Sequence, residues 1–159
     1  MSGEVVIAGL YISPDAREPM ISVSEVEAIA GVGLRGDRYS LDIRKGEFQQ
    51  HGKAKTRVRQ VTFFSMDALR NTGFEGIDTR RNVGISGPFE AYKYLGRRFR
   101  VGEAIFEGDW ECAPCKVPSI VSGKVGFEKL PPEIGGIRAK ILEGDILRIG
   151  QPLVLIPIK

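Results

Sequence analysis

The 159-residue chain is predicted to be a mainly β, barrel-like single domain spanning 1–159, with a few short helices. Three observations predict this. Short runs rich in Val, Ile, Phe and Tyr recur from one end of the chain to the other. Breaks drawn from 20 Gly and 9 Pro separate them. Only one or two short stretches read as helix, and no repeat, low-complexity segment or linker interrupts the series.

The elements follow in order. Glu4 to Ile12 is apolar and β-branched and reads as a strand that Ser13-Pro14-Asp15 breaks. In Pro19 to Ala30, Ile21, Val23 and Val26 sit among polar residues, which favours strand over helix. Gly31, Gly33 and Gly36 around Leu34 and Arg35 predict a loop with unusual backbone angles. Ser40 to Arg57 is polar and reads as a long loop or ragged hairpin. Arg59 to Phe64 is a strand, after which Ser65 is placed to cap a short helix near Met66 to Asn71, ending at Gly73. Asn82 to Ser86 is a short strand, and Arg98 to Val101 pairs with Glu103 to Gly108 through a turn at Gly102. Lys116 to Leu130 has no clear periodicity. Gly136 to Glu143, Asp145 to Ile149 and Leu153 to Ile158 close the chain as strands.

Composition narrows the function classes. A formal charge of +3 is mild: it leaves room for a local anion site but does not argue for nucleic acid. No apolar run approaches the roughly 20 residues of a membrane span. The segment Met1-Ser2-Gly3-Glu4 lacks the pattern of a secretory leader, so a cytoplasmic protein with reduced thiols is expected.

The two cysteines stand in Trp110-Glu111-Cys112-Ala113-Pro114-Cys115-Lys116. Their C-x-x-C spacing allows three chemistries. Structural zinc needs four ligands, and this chain offers two thiols and one histidine, His51. Dithiol redox chemistry needs a helix start after a strand, and Pro118 and Gly123 limit any following helix to about one turn. The third reading has one cysteine working alone, as a sulfur carrier or soft metal ligand. Against all three stands simple packing, the commonest fate of a free cysteine, although the proline and flanking charges are not core-like.

The basic residues cluster as Arg80-Arg81-Asn82, as Arg35 and Arg38 about Gly36-Asp37, as Lys53, Lys55, Arg57 and Arg59 after His51, and as Arg97, Arg98 and Arg100. Arginine beside exposed backbone amides suits phosphate, and each cluster alone also suits a solvated face. Phe63 and Phe64 belong to an apolar strand and are expected to face the core rather than stack on bases.

Five segments in series carry a family resemblance: Gly36-Asp37-Arg38-Tyr39, Arg59-Gln60-Val61-Thr62, Arg80-Arg81-Asn82-Val83, Leu95-Gly96-Arg97-Arg98-Phe99 and Glu111 to Lys116. In order and spacing they resemble the MOSC domain, over about Val5 to Ile158. That domain forms the C-terminal part of molybdenum cofactor sulfurases and also occurs as small stand-alone bacterial proteins. The resemblance implies a β-barrel-like fold. It also implies that Cys115, which matches the invariant cysteine of the family, is the working thiol, carrying sulfur or ligating molybdenum. Arg80 and Asn82 match the family's R-x-N segment. With Arg81, Arg35 and Arg59 they are expected to hold the phosphate of a molybdenum-pterin cofactor. Cys112 matches a position that is cysteine in some members only.

The leading expectation is therefore a molybdenum-cofactor-handling protein, as a sulfur transferase or a reductase of N-hydroxylated compounds. Its expected partner is a cysteine desulfurase, whose pyridoxal phosphate stays with that partner, or an electron-transfer protein. A non-catalytic anion- or partner-binding module with structural cysteines is the alternative.

Overall fold

The computed structural model describes residues 4–15, 18–38 and 60–158. The apolar runs pair into an eight-stranded mixed sheet in the order β11-β7-β8-β9-β5-β6-β1-β2, and a three-stranded sheet in the order β10-β3-β4. The strands are β1 Val6–Ile12, β2 Ile21–Val23, β3 Glu25–Ile29, β4 Gly33–Leu34, β5 Val61–Ser65, β6 Val83–Ser86, β7 Arg98–Val101, β8 Ala104–Glu111, β9 Ile137–Glu143, β10 Asp145–Arg148 and β11 Leu153–Leu155. The larger sheet curls but is not a closed barrel. An isolated bridge joins Val6 to Pro152, and Ile7 N–H donates to the carbonyl of Gln151 at 2.9 Å, so β11 approaches β1 without a continuous ladder.

β5 organises the interior. Its run Val61-Thr62-Phe63-Phe64 is buried on both faces, as expected of a strand covered on two sides. Successive side chains of a strand point to opposite faces, so Phe63 and Phe64 enter different clusters. Phe63 meets the rings of Phe99 and Phe106 edge-on, each at 5.0 Å between centroids. Phe64 joins Tyr11, Phe74, Phe127 and Ile134 on the other side.

β5 runs antiparallel to β9 and parallel to β6. Parallel neighbours need a crossover, and here it consists of two 3-10 turns, Asp67–Leu69 and Gly76–Thr79. The expected Met66 to Asn71 helix is reduced to the first of these, with Ser65 Oγ accepting the Ala68 N–H at 3.2 Å. The crossover delivers Arg80-Arg81-Asn82 to the start of β6.

The expected strands of the second half are present, with β7 and β8 antiparallel about the turn at Gly102. A short helix, α1 Val117–Ser122, follows the cysteine segment within the limits set by Pro118 near its start and Gly123, which closes it at φ 79°, whereas strand β4 falls inside the expected Gly31 to Gly36 loop. Ser40 to Arg57, His51 and Arg59 lie outside the described residues. Among the described residues, no helix is long and apolar enough to cross a membrane.

Candidate functional site

The cysteine segment connects the end of β8 to the start of α1. Cys112 is buried and Cys115 is exposed, and both are free thiols. Residues 112–115 form no hydrogen-bonded turn or bend. The two thiols differ in environment, one buried and one exposed, in a segment that runs from a strand into a helix.

Arg81 fixes this segment. Its buried guanidinium donates from Nη2 to the carbonyls of Cys112 at 3.2 Å and Ala113 at 3.0 Å. Nε donates to the carbonyl of Gly135 at 2.8 Å and Nη1 to that of Thr79 at 3.1 Å. One side chain therefore ties the crossover, the cysteine segment and the approach to β9. Gly135 is required by this closeness, since a Cβ on it would stand 1.7 Å from the Cys112 carbonyl oxygen. The Cys112 N–H adds a bond to the carbonyl of Gly136 at 2.9 Å.

Arg80 turns the other way. Its backbone is left-handed, φ 65°, a conformation that costs a non-glycine residue about 1 kcal/mol. The buried guanidinium donates to Ser13 Oγ at 2.9 Å, to the Asp15 carbonyl at 3.3 Å and to the Glu18 carbonyl. Ser13 in turn donates its N–H to Asp37 Oδ1 at 2.7 Å, and its carbonyl accepts the Arg38 N–H at 2.7 Å. Arg80 thus links the crossover to the Gly36-Asp37-Arg38 turn, whose Gly36 has φ 89°.

Asn82 lies inside the sheet. Its Oδ1 accepts from the N–H and Oγ1 of Thr62, at 3.0 and 3.1 Å, and its Nδ2 donates to the Tyr11 carbonyl at 3.1 Å. It pins β1 and β5 to the start of β6. Arg35 is remote from these groups in role: it is exposed on the smaller sheet, where its Nε pairs with Glu27 Oε1 at 2.7 Å.

The five expected anion contacts are therefore not one cluster of the same kind. Arg80, Arg81 and Asn82 are adjacent, buried and committed to groups of the fold, Arg35 is an exposed ion-pair member, and Arg59 is outside the described residues. The sequence exposes donors but not their acceptors, so Ser13 and Gly135, which complete the arrangement, were not singled out as site residues. Tyr92 borders the cysteine segment, and Lys124 borders the crossover. Burial, and then Glu111, Glu133 and Cys112, push the Tyr92 phenol above its ordinary range. A hydrogen bond from Lys124 to Asp78, 2.6 Å long, fastens the chain after α1 to the crossover and raises the lysine above its usual value.

Two hollows lie near the crossover. One of about 100 Å³ is lined by Arg80 with Met20, Ile77, Val121 and Ser122. A cleft of about 530 Å³ is lined by Tyr11, Met66, Phe74, Glu75 and Ile77, the last of which lines both hollows. Cys115 lines neither. Among the described residues, no group of three or more His, Cys, Asp or Glu is gathered as a metal site.

This architecture is a β-rich fold of MOSC-like type. Solved structures agree at the level of fold. The YuaD protein of Bacillus subtilis superposes with a TM-score of 0.75 at 18% identity, over 98% of this chain and 97% of that one. YiiM of Escherichia coli gives 0.64 at 17% identity over 100% and 71%. YiiM of Geobacillus stearothermophilus gives 0.63 at 14% identity over 96% and 75%. YuaD and YiiM are MOSC-type proteins by fold, and at these identities the likeness is one of fold alone. No family model and no curated protein matches the sequence.

Proposed function

We propose that the protein handles molybdenum cofactor by carrying sulfur on Cys115. The observation that carries this reading is the contrast within the C-x-x-C segment. One thiol is buried, the other is exposed, and buried Arg81 holds the main chain before it.

The chemistry is thiol–persulfide exchange. The Cys115 thiolate attacks the outer sulfur of a donor persulfide. The new Sγ–S bond forms as the donor's S–S bond breaks, the donor leaves as a thiolate, and no net oxidation occurs. A cysteine desulfurase suits this role as donor, its pyridoxal phosphate remaining its own. The cytoplasm, where thiols stay reduced, suits such chemistry.

The side chains fit the cofactor in part. Cys115 is a soft, exposed donor suited to molybdenum or to a transferable sulfur. Arg80, Arg81 and Asn82 spend the donors described above on the fold, so they build the site's framework rather than offer those N–H groups to a phosphate. This favours sulfur carrying over tight pterin binding. When bound, the cofactor supplies a metal that accepts sulfur.

The test is purification from a cofactor-competent host, followed by sulfur transfer with the wild type and Cys115→Ser. Sulfur on the wild type alone supports the reading. If Cys115→Ser loses no transfer or reductase activity and neither metal nor pterin copurifies, the binding-module alternative replaces it.

A further inference from the structure

The cleft of about 530 Å³ falls in the size range of small-molecule sites, roughly 300–1,000 Å³. Its walls belong to the second core cluster. Tyr11, Leu69 and Phe74 are buried there, and Met66 and Ile77 pack against that cluster. Glycine shapes one wall. A Cβ on Gly76, which lines the cleft, would stand 2.6 Å from Tyr11 Oη and 2.7 Å from Met66 Sδ. One on Gly9 would stand 2.4 Å from the same hydroxyl. These distances place the phenol oxygen against the Gly76 wall.

That hydroxyl lacks a strong partner. Tyr11 is only 8% exposed. Both of its backbone polar groups are bonded to Asn82. Among the described residues its side-chain O–H reaches only Met66 Sδ, at 4.0 Å. A thioether is a weak acceptor, whereas buried polar groups ordinarily find a good partner. Burial, and then Glu75, push the phenol above its ordinary 10.0, so it keeps its proton and acts as a donor.

Charge and shape narrow the ligand. Glu75 lines the cleft at its exposed rim, and its effect on Tyr11 shows that its negative field reaches the hydroxyl. An anion bound there would be repelled. The rim charges are also engaged within the fold. Arg70 pairs with Asp67 at 3.7 Å, and the Glu75 side chain completes the capping box of the Gly76–Thr79 turn. The Phe74 ring and the Met66 thioether suit a flat aromatic ring, since ring–ring and sulfur–ring contacts are both favourable.

We propose that this cleft binds an uncharged, planar aromatic molecule whose carbonyl oxygen accepts the hydrogen bond of the Tyr11 hydroxyl. Cys115 does not line the cleft, so this site stands or falls separately from the sulfur-carrier reading.

The experiment is titration calorimetry on the full chain with no sulfur source present. Coumarin, a flat neutral ring system with a carbonyl, is the probe. 1,2-Dihydronaphthalene has a similar shape without the acceptor, and coumarin-3-carboxylate adds a negative charge. Tyr11→Phe should weaken coumarin about threefold to tenfold, the worth of one hydrogen bond, and leave 1,2-dihydronaphthalene unchanged. Ser22 lines the cleft from the edge strand β2, directly opposite Tyr11 in the ladder, and is exposed. Ser22→Trp should therefore obstruct the mouth and weaken both neutral ligands by about tenfold or more, a loss of about 1.4 kcal/mol. An unchanged melting temperature checks the fold of each variant. Coumarin-3-carboxylate should bind more weakly than coumarin. No binding of coumarin by the wild type, or binding that Ser22→Trp leaves unchanged, would overturn the site. Equal losses of both neutral ligands in Tyr11→Phe, or a carboxylate that binds as tightly as coumarin, would overturn the ligand assignment.

Discussion

The guanidinium of Arg81 donates to the carbonyl oxygen of Ala113 at 3.0 Å, two residues before the exposed thiol of Cys115. Three more bonds from the same side chain reach Cys112, Gly135 and Thr79. The position of the thiol is in this way tied to a residue 34 positions earlier in the chain, counting from Arg81 to Cys115.

Arg81→Ala leaves these carbonyls, three of them in buried residues, without their donor. Hydrogen bonds to charged groups and the loss of one partner from a buried polar set predict a destabilisation of about 3 kcal/mol or more, read by urea denaturation. Arg81→Lys should recover little, because an ammonium cannot reproduce the planar fork that reaches several carbonyls at once. A loss below about 1 kcal/mol for both variants would mean that the clamp is incidental.

Thiol reactivity should be unequal. In the native protein DTNB is expected to modify Cys115 quickly and Cys112 only after denaturation, since one is exposed and the other buried. Mild oxidation should leave both thiols free of an intrachain disulfide, because burial shields the Cys112 thiol from oxidant and exchange. Rapid formation of that disulfide would restore the dithiol reading of the motif. For the same reason Cys112→Ser should leave sulfur loading of Cys115 unchanged.

Asn82→Ala should be costly for a reason unrelated to any ligand. It removes an acceptor from Thr62 N–H and Oγ1 and a donor from the Tyr11 carbonyl, all buried. The expected loss is about 2–3 kcal/mol by chemical denaturation. A stability change near zero together with lost function would instead assign Asn82 to the cofactor.

Much of the fold was legible because strands declare themselves locally. The β-branched runs at β1 and β9 and the turn at Gly102 follow from residue type and spacing. Gly31, Gly33 and Gly36 do take positive φ, as their density predicts. The limits of α1 could be read from Pro118 and Gly123, although its six residues are too few for periodicity to show. The expected Met66 to Asn71 helix is only the 3-10 turn Asp67–Leu69, and Asn71 beyond it takes a left-handed φ of 65° that ends any helix there. The non-core character of the C-x-x-C stretch holds for Cys115, which is exposed, but not for Cys112, which is buried. The roles of Arg80 and Arg81 were not legible, because their acceptors lie near residues 13–18 and 112–135, and spacing along the chain does not reveal pairings across it.

A pH test probes the smaller sheet. Asp145 accepts the Glu103 N–H at 3.0 Å, and this bond, with one from Ile146, holds its carboxyl below the ordinary 3.8. A carboxylate with a lowered folded pKa stabilises above its unfolded value and loses that contribution as pH falls through the folded one. The melting-temperature gap between wild type and Asp145→Asn should therefore stay constant at neutral pH and narrow only below 3.8. A gap that persists unchanged in strong acid would show that the carboxylate charge plays no part.

The most direct measurement of sulfur carrying is intact mass after incubation with a persulfide donor, followed by peptide mapping. A gain of about 32 Da, one sulfur atom, located on Cys115 and absent from Cys115→Ser, is the predicted result. An unmodified wild type, or sulfur found on Cys112 instead, would contradict the account.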